Sequence, residues 1–162
     1  MGHAPVAPVA SADGKFVYVC NRFDNQVAVI DAAANAEVAR VSVNREPVAA
    51  ALTPDGKWLC VANHLPAGAS DGDYVSSCVS MIDTAARSVA ATIVLPNGST
   101  GLRGMAMSPD GAYAYVTHIL GRYQLPTTQL ERGWMNTNAL SIIDVAGQKL
   151  SLIHISEPTR PY

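Results

Sequence analysis

Two segments of this chain gather residues that could do chemistry. The first, HLPAGASDGDYVSSC, runs from His64 to Cys78 and holds an imidazole, the carboxylates Asp71 and Asp73, Tyr74 and a thiol. The second, HILGRYQLPTTQLERGWMNTNA, begins at His118 and carries Arg122, Tyr123, Gln129, Glu131, Arg132, Trp134 and Asn136. Arg45 and Arg103 stand in short connecting stretches. Guanidinium forks match carboxylate or phosphate, and aromatic rings supply flat apolar area, so this mixture suits a protein partner or a small anionic ligand. The candidate binding residues are therefore His64, Asp71, Asp73, Arg103, His118, Arg122, Tyr123, Glu131, Arg132, Trp134 and Asn136. The plainer alternative is that each segment folds on itself, with Trp134 as a small core and Arg132 paired to Glu131.

Sharper chemistries fail on spacing. SDGDY sets two carboxylates around a glycine but lacks the further oxygen ligands and terminal Glu of a calcium loop, so no metal is expected. A hairpin pairing Asn63 with Val79 would set Cys78 opposite His64 and Cys60 opposite Ile82. A thiol beside an imidazole can be reactive, whereas burial leaves it an inert small hydrophobe. Cys20, Cys60 and Cys78 show no CxxC spacing and form neither a disulfide framework nor a zinc site. A GxSxG elbow and a CxxCH haem attachment motif are absent, and GLRG at Gly101 to Gly104 is not followed by the helix a phosphate loop requires. On these grounds no catalytic residue and no cofactor is assigned, and the chain is expected to be non-enzymatic.

Composition narrows the partners. Among 162 residues, 49% are hydrophobic, 15% are charged and the formal net charge is −2, without a basic run. Nucleic acid and anionic membrane are unsuitable partners on that balance. No apolar stretch approaches the roughly 20 residues of a spanning helix. Met1 to Val9 show neither a basic nor an apolar export region.

The elements that must position these segments are repeated. SADGKFVYVCN, TPDGKWLCVAN and SPDGAYAYVTH start at Ser11, Thr53 and Ser108, and each precedes a second shared motif: VAVIDAA, VSMIDTA, LSIIDVA. The Asp-Gly pairs predict tight turns. The runs Phe16 to Cys20, Trp58 to Ala62 and Tyr113 to Thr117 predict strands, as do Val27 to Asp31, Val79 to Asp83 and Leu140 to Asp144. Each of the latter ends on an Asp able to bond the next turn. Val38 to Val43 and Val89 to Leu95 add a further strand, Val48 to Leu52 and Gly104 to Ser108 another, and no window carries a helical period. Four short antiparallel strands per forty-odd residues predict an all-β chain, a partial β-propeller of about three blades near residues 3–43, 44–95 and 96–149. Both chemically rich segments then fall in the same connection, between second and third strands, and crowd one rim.

The motifs FVYVCN…VAVID and AYVTH…LSIID resemble the YVTN-type repeats of bacterial exported and surface proteins. That resemblance implies a propeller fold and a periplasmic or cell-surface location. It covers about His3 to Lys149. The residues beyond, LSLIHISEPTR, resemble a translated sequencing-library adapter, so 150–162 are expected to be a non-native tail able to mimic a fourth strand. Three blades leave two open flanks, which predicts a marginal, aggregation-prone chain that lacks neighbouring blades or domains. Two functions follow as expectations. One is a binding or scaffold module of an exported protein. The other, from relatives with similar long insertions, is the propeller portion of a periplasmic redox protein coupled to a c-type cytochrome or peroxidase-like domain.

Overall fold

The structure, a computed structural model, describes residues 2–121 and 136–156, with the backbone alone at 154–156. Each repeat builds one four-stranded antiparallel sheet, paired in chain order. Blade 1 comprises β1 (Pro5–Ala10), β2 (Phe16–Asn21), β3 (Gln26–Asp31) and β4 (Ala36–Ser42). Blade 2 comprises β5 (Pro47–Leu52), β6 (Trp58–Asn63), β7 (Cys78–Asp83) and β8 (Ser88–Val94). Blade 3 comprises β9 (Ser99–Met107), β10 (Tyr113–Gly121), β11 (Asn136–Asp144) and β12 (Lys149–Ser156). The one helical element among the described residues is a 3-10 turn at Arg22–Asp24. The architecture is a partial β-propeller. The expected tail supplies β12, with Ile142 opposite Leu152, which its alternating apolar residues permit.

The turns explain why the motif recurs. Asp13, Asp55 and Asp110 accept hydrogen bonds from the hydroxyls of Ser11, Thr53 and Ser108 at 2.7, 2.5 and 2.6 Å. Each also accepts the N–H two residues on, at Lys15, Lys57 or Ala112. The glycine that follows sits at φ +70 to +73°, where a side chain would strain the backbone. At the opposite end of each hairpin, Asp31, Asp83 and Asp144 accept backbone N–H groups of the next turn, as expected. Hydrogen bonding, first from the Ser11 hydroxyl and then from the Lys15 N–H, lowers Asp13 from 3.8 to about 2, and the corresponding bonds lower Asp55 and Asp110. Because the folded-state values lie below the unfolded ones, the stabilisation is present above about pH 4 and is lost as pH falls toward 2. Replacing the three aspartates with asparagine should lower stability at neutral pH and flatten its decline between about pH 4 and 2, read by urea unfolding at several pH values. An unchanged decline would show that these turns do not govern it.

Blades pack face to face through two seams. In β6 the side chains alternate. Leu59 and Val61 join Tyr18, Cys20, Val27 and Val29 of blade 1, whereas Cys60 and Ala62 join Leu102, Ala114, Val116 and Ile143 of blade 3. All four β6 residues are fully buried, so the middle blade reads as a continuous apolar run with both faces covered. Blade 3 repeats the pattern with its outer face open. Tyr115, Leu140 and Ile142, which correspond to Cys60, Val79 and Met81, are half-buried.

The register differs from the simplest hairpin by one residue. Ala62, not Asn63, lies opposite Val79, and Cys60 lies opposite Met81. The shift decides orientation, because a one-residue slip would turn every side chain of the strand to the other face. With the observed register Cys60 and Met81 share the seam with blade 3, and all three cysteines are buried and free. Burial pushes Cys20 and Cys60 up to about 12 and raises Cys78, so none is a ready thiolate.

Candidate functional site

The β2–β3 and β6–β7 connections share one rim with the segments that join consecutive blades and with the Gly121 and Asn136 ends of β10 and β11. At this rim β6 ends in Asn63, a fully buried amide that donates to the Cys78 carbonyl (3.1 Å) and the Ser80 hydroxyl (3.0 Å). Blade 3 replaces the amide with His118, and His118 Nε2 meets the corresponding hydroxyl, Ser141, at 2.9 Å. The His118 Nδ1 lies 3.2 Å from the Ile119 carbonyl, which can only accept, so Nδ1 carries a proton. Burial lowers the pKa of the ring, opposed by the bond to the Ile119 carbonyl. Both ring nitrogens are thus engaged, and the Nε2 contact to Ser141 ties β10 to β11.

His64 is a joint between blades. Its N–H donates to the Glu46 carbonyl (2.8 Å), and its own carbonyl accepts from Gly101 N–H (2.9 Å) and the Ser77 hydroxyl (3.1 Å). Nδ1 donates to the Leu102 carbonyl at 2.7 Å, which leaves the Nε2 lone pair directed elsewhere. Arg22 and Glu46, a pair the sequence reading passed over, bridge the first blade to the next at 2.8 Å.

The inserted segment after His64 is tied down. Tyr74 donates its hydroxyl to the Leu95 carbonyl (2.8 Å), Val75 N–H donates to Asn97 Oδ1 (2.8 Å), and Asn97 Nδ2 donates to the Asp73 carbonyl (3.0 Å). Asp71 and Asp73 are exposed at its tip. The second inserted segment is partly a strand extension. Strands β10 and β11 pair out to Gly121 opposite Asn136, so His118 and Asn136 lie on the ladder and not in a loop. This corrects the loop assignment for these two residues: the strand-compatible Ile119 and Leu120 carry β10 on past His118. Arg122, Tyr123, Glu131, Arg132 and Trp134 lie outside the described residues.

Arg103 and His118 come together. With Gly101, Thr117, Ile119 and Leu140 they line a cleft of about 410 Å³ on the open face of blade 3. Arg103 is exposed at its edge, beside mainly apolar walls, an arrangement able to hold an anion. Asp71, Asp73 and Asn136 are not among its lining residues. Among the described residues no three His, Cys, Asp or Glu side chains converge as a metal site would require.

Known proteins resemble this chain in sequence and in fold. The family described as Cytochrome D1 heme domain matches residues 3–75. A curated relative, hydrazine synthase subunit beta of Kuenenia stuttgartiensis, is 33% identical over 107 residues, which are 65% of this chain and 26% of the relative. In solved structures, Kuenenia stuttgartiensis hydrazine synthase matches with a TM-score of 0.59 at 24% identity, covering 91% of this chain and 53% of that one. The structure of U3-55K matches with a TM-score of 0.68 at 11% identity over 96% of this chain and 41% of that one. The chain thus spans about a quarter of the curated relative's length. The expectation of a non-enzymatic protein does not stand, because the relatives are named for an enzyme subunit and a haem domain. No described helix is long and apolar enough to cross a membrane. What the chain shares with all of these is the β-propeller fold, now seen in its own three blades.

Proposed function

We propose that this chain is the propeller portion of an exported, multi-part redox enzyme, and that its loop-elaborated rim docks a haem-bearing domain or subunit. The observation that carries the reading is the 33% identity to an enzyme subunit across 107 residues of the repeat region. The match to a family named for a haem domain supports it, as does the YVTN-like character of the repeats, which also supports a periplasmic setting.

The described residues do not by themselves make a haem site. The sequence carries no CxxCH, His118 has both ring nitrogens engaged, and His64 Nε2 has no further ligand groups gathered around it. The haem of the proposed assembly therefore belongs to another part, and this chain supplies a rigid surface. Arg103 and the tethered 64–77 segment are the proposed contacts. A continuous DNA read through the source locus past codon 150 tests the reading. Further repeats in frame, with a CxxCH motif in the same or an adjacent gene, are expected. A repeat array without any neighbouring haem motif would overturn it in favour of a binding propeller.

A further inference from the structure

The rim opposite the inserted loops holds a cleft that the repeat pattern does not require. It lies in the seam between blades 1 and 2, with a volume of about 390 Å³. Pockets for small organic ligands begin at about 300 Å³. The equivalent seam between blades 2 and 3 is shut. There Pro54 reaches over Gly111 so closely that a Cβ on that glycine would meet Pro54 Cδ at 2.9 Å. Val145, 4% exposed, fills the space beneath.

Between blades 1 and 2 the same places hold different residues. Ala12 replaces Pro54, Phe16 replaces Trp58, Thr84 replaces Val145 and Arg87 replaces Gln148. A Cβ built on Gly56 would meet nothing within 4 Å, where one on Gly111 would meet Pro54. The floor is Tyr18, 5% exposed, with Val29 beside it. Thr84 donates its hydroxyl to the Gly56 carbonyl at 2.6 Å and so marks the back wall. At one lip the Arg87 guanidinium lies over the Phe16 ring, 5.6 Å from its centre. No carboxylate lies within ion-pair distance of Arg87 among the described residues. At the other lip stand Asp13 and Asp55, whose Oδ1 atoms are already occupied by their own turns.

We infer that this seam is a binding site for a small aromatic monocarboxylate. The carboxylate pairs with the Arg87 fork, and the ring lies against Phe16, Tyr18 and Val29. Asp13 and Asp55 repel a second negative charge, so dicarboxylates and phosphate are disfavoured. The site lies on the rim away from the proposed docking surface and does not depend on that reading.

The test is a titration of the full chain with sodium benzoate at low salt, followed by amide NMR, with phthalate in parallel. Saturable shifts at Gly56, Ala85 and Arg87 are expected, with phthalate weaker by about tenfold or more. Ala12→Pro installs the residue of the closed seam. The turn's hydrogen bonds run from Gly14 N–H to Ser11 and from Ser11 N–H to Phe16, so the proline removes neither. Arg87→Gln installs the residue found in blade 3 and alters an exposed side chain, so it carries the test even if Ala12→Pro fails to fold. Each substitution should weaken benzoate by about tenfold or more. Absence of saturable shifts, shifts centred on another surface, or undiminished affinity in a folded variant would each overturn the site.

Discussion

Truncating Met81 to alanine is expected to lower stability by about 3 kcal/mol, which corresponds to roughly 6–12 °C in Tm for a chain of this size. Met81 is fully buried in the seam between blades 2 and 3, where Cys60, Val79 and Val116 surround it. Its removal costs both the transfer of its apolar atoms and the void left between two sheets that are fixed at their inner strands. Ile142 occupies the same place in blade 3, but its side faces outward and is half-buried. Ile142→Ala should therefore cost about 1 kcal/mol or less. Urea unfolding of the two variants at low protein concentration checks the contrast. Equal losses would mean that the outer face of blade 3 is covered in solution.

The second large effect concerns the amide at the end of β6. Asn63→Ala should cost about 2 kcal/mol, because it strips a buried carbonyl at Cys78 and a buried hydroxyl at Ser80 of their donor. Asn63→His should cost less. His118 already makes the corresponding bond to Ser141, and Asn63 Oδ1 has no protein partner to lose. Blade 1 offers the converse experiment. Asn21 is buried with an unpartnered Nδ2, since Ala28 stands where the other blades have Ser80 and Ser141. Ala28→Ser should gain about 1 kcal/mol by completing the pair. Denaturant midpoints at constant slope read all three. A loss for Ala28→Ser would show that blade 1 satisfies Asn21 in a way the other blades do not.

The blade plan was legible because its causes are local. A Ser/Thr-x-Asp-Gly turn closes through its own side chains, and the Asp at the end of the third strand caps its own turn, so both announce themselves in sequence. The hairpin register was not local. Asn63 and Ala62 are equally plausible partners for Val79 until blade 3 is present to claim Cys60 and Met81 for one face. The β10–β11 extension escaped notice because His118, Arg122 and Asn136 look like binding residues before they look like a ladder. His118 itself was misleading by residue type: beside Ser141 it does the work of Asn63, and that becomes visible when its cross-strand neighbour is known. The seam cleft was hidden because Ala12 for proline and Thr84 for valine read as ordinary drift. Their common location appears once two blades are set face to face.

The middle blade has a kinetic consequence. Strands β6 and β7 can exchange their amide protons with solvent only if a seam opens on one side or the other, and each seam is a packed apolar sheet interface. Their exchange should accordingly track the deepest opening the chain undergoes, while β4 and the outer edge of blade 3 exchange through shallow, local fluctuations. His64 and the tethered segment up to Ser77 hang between those two slow strands. The rim is thus anchored at the part of the molecule that moves least, so whatever it receives meets a surface whose ordering was completed during folding and need not be repeated on binding.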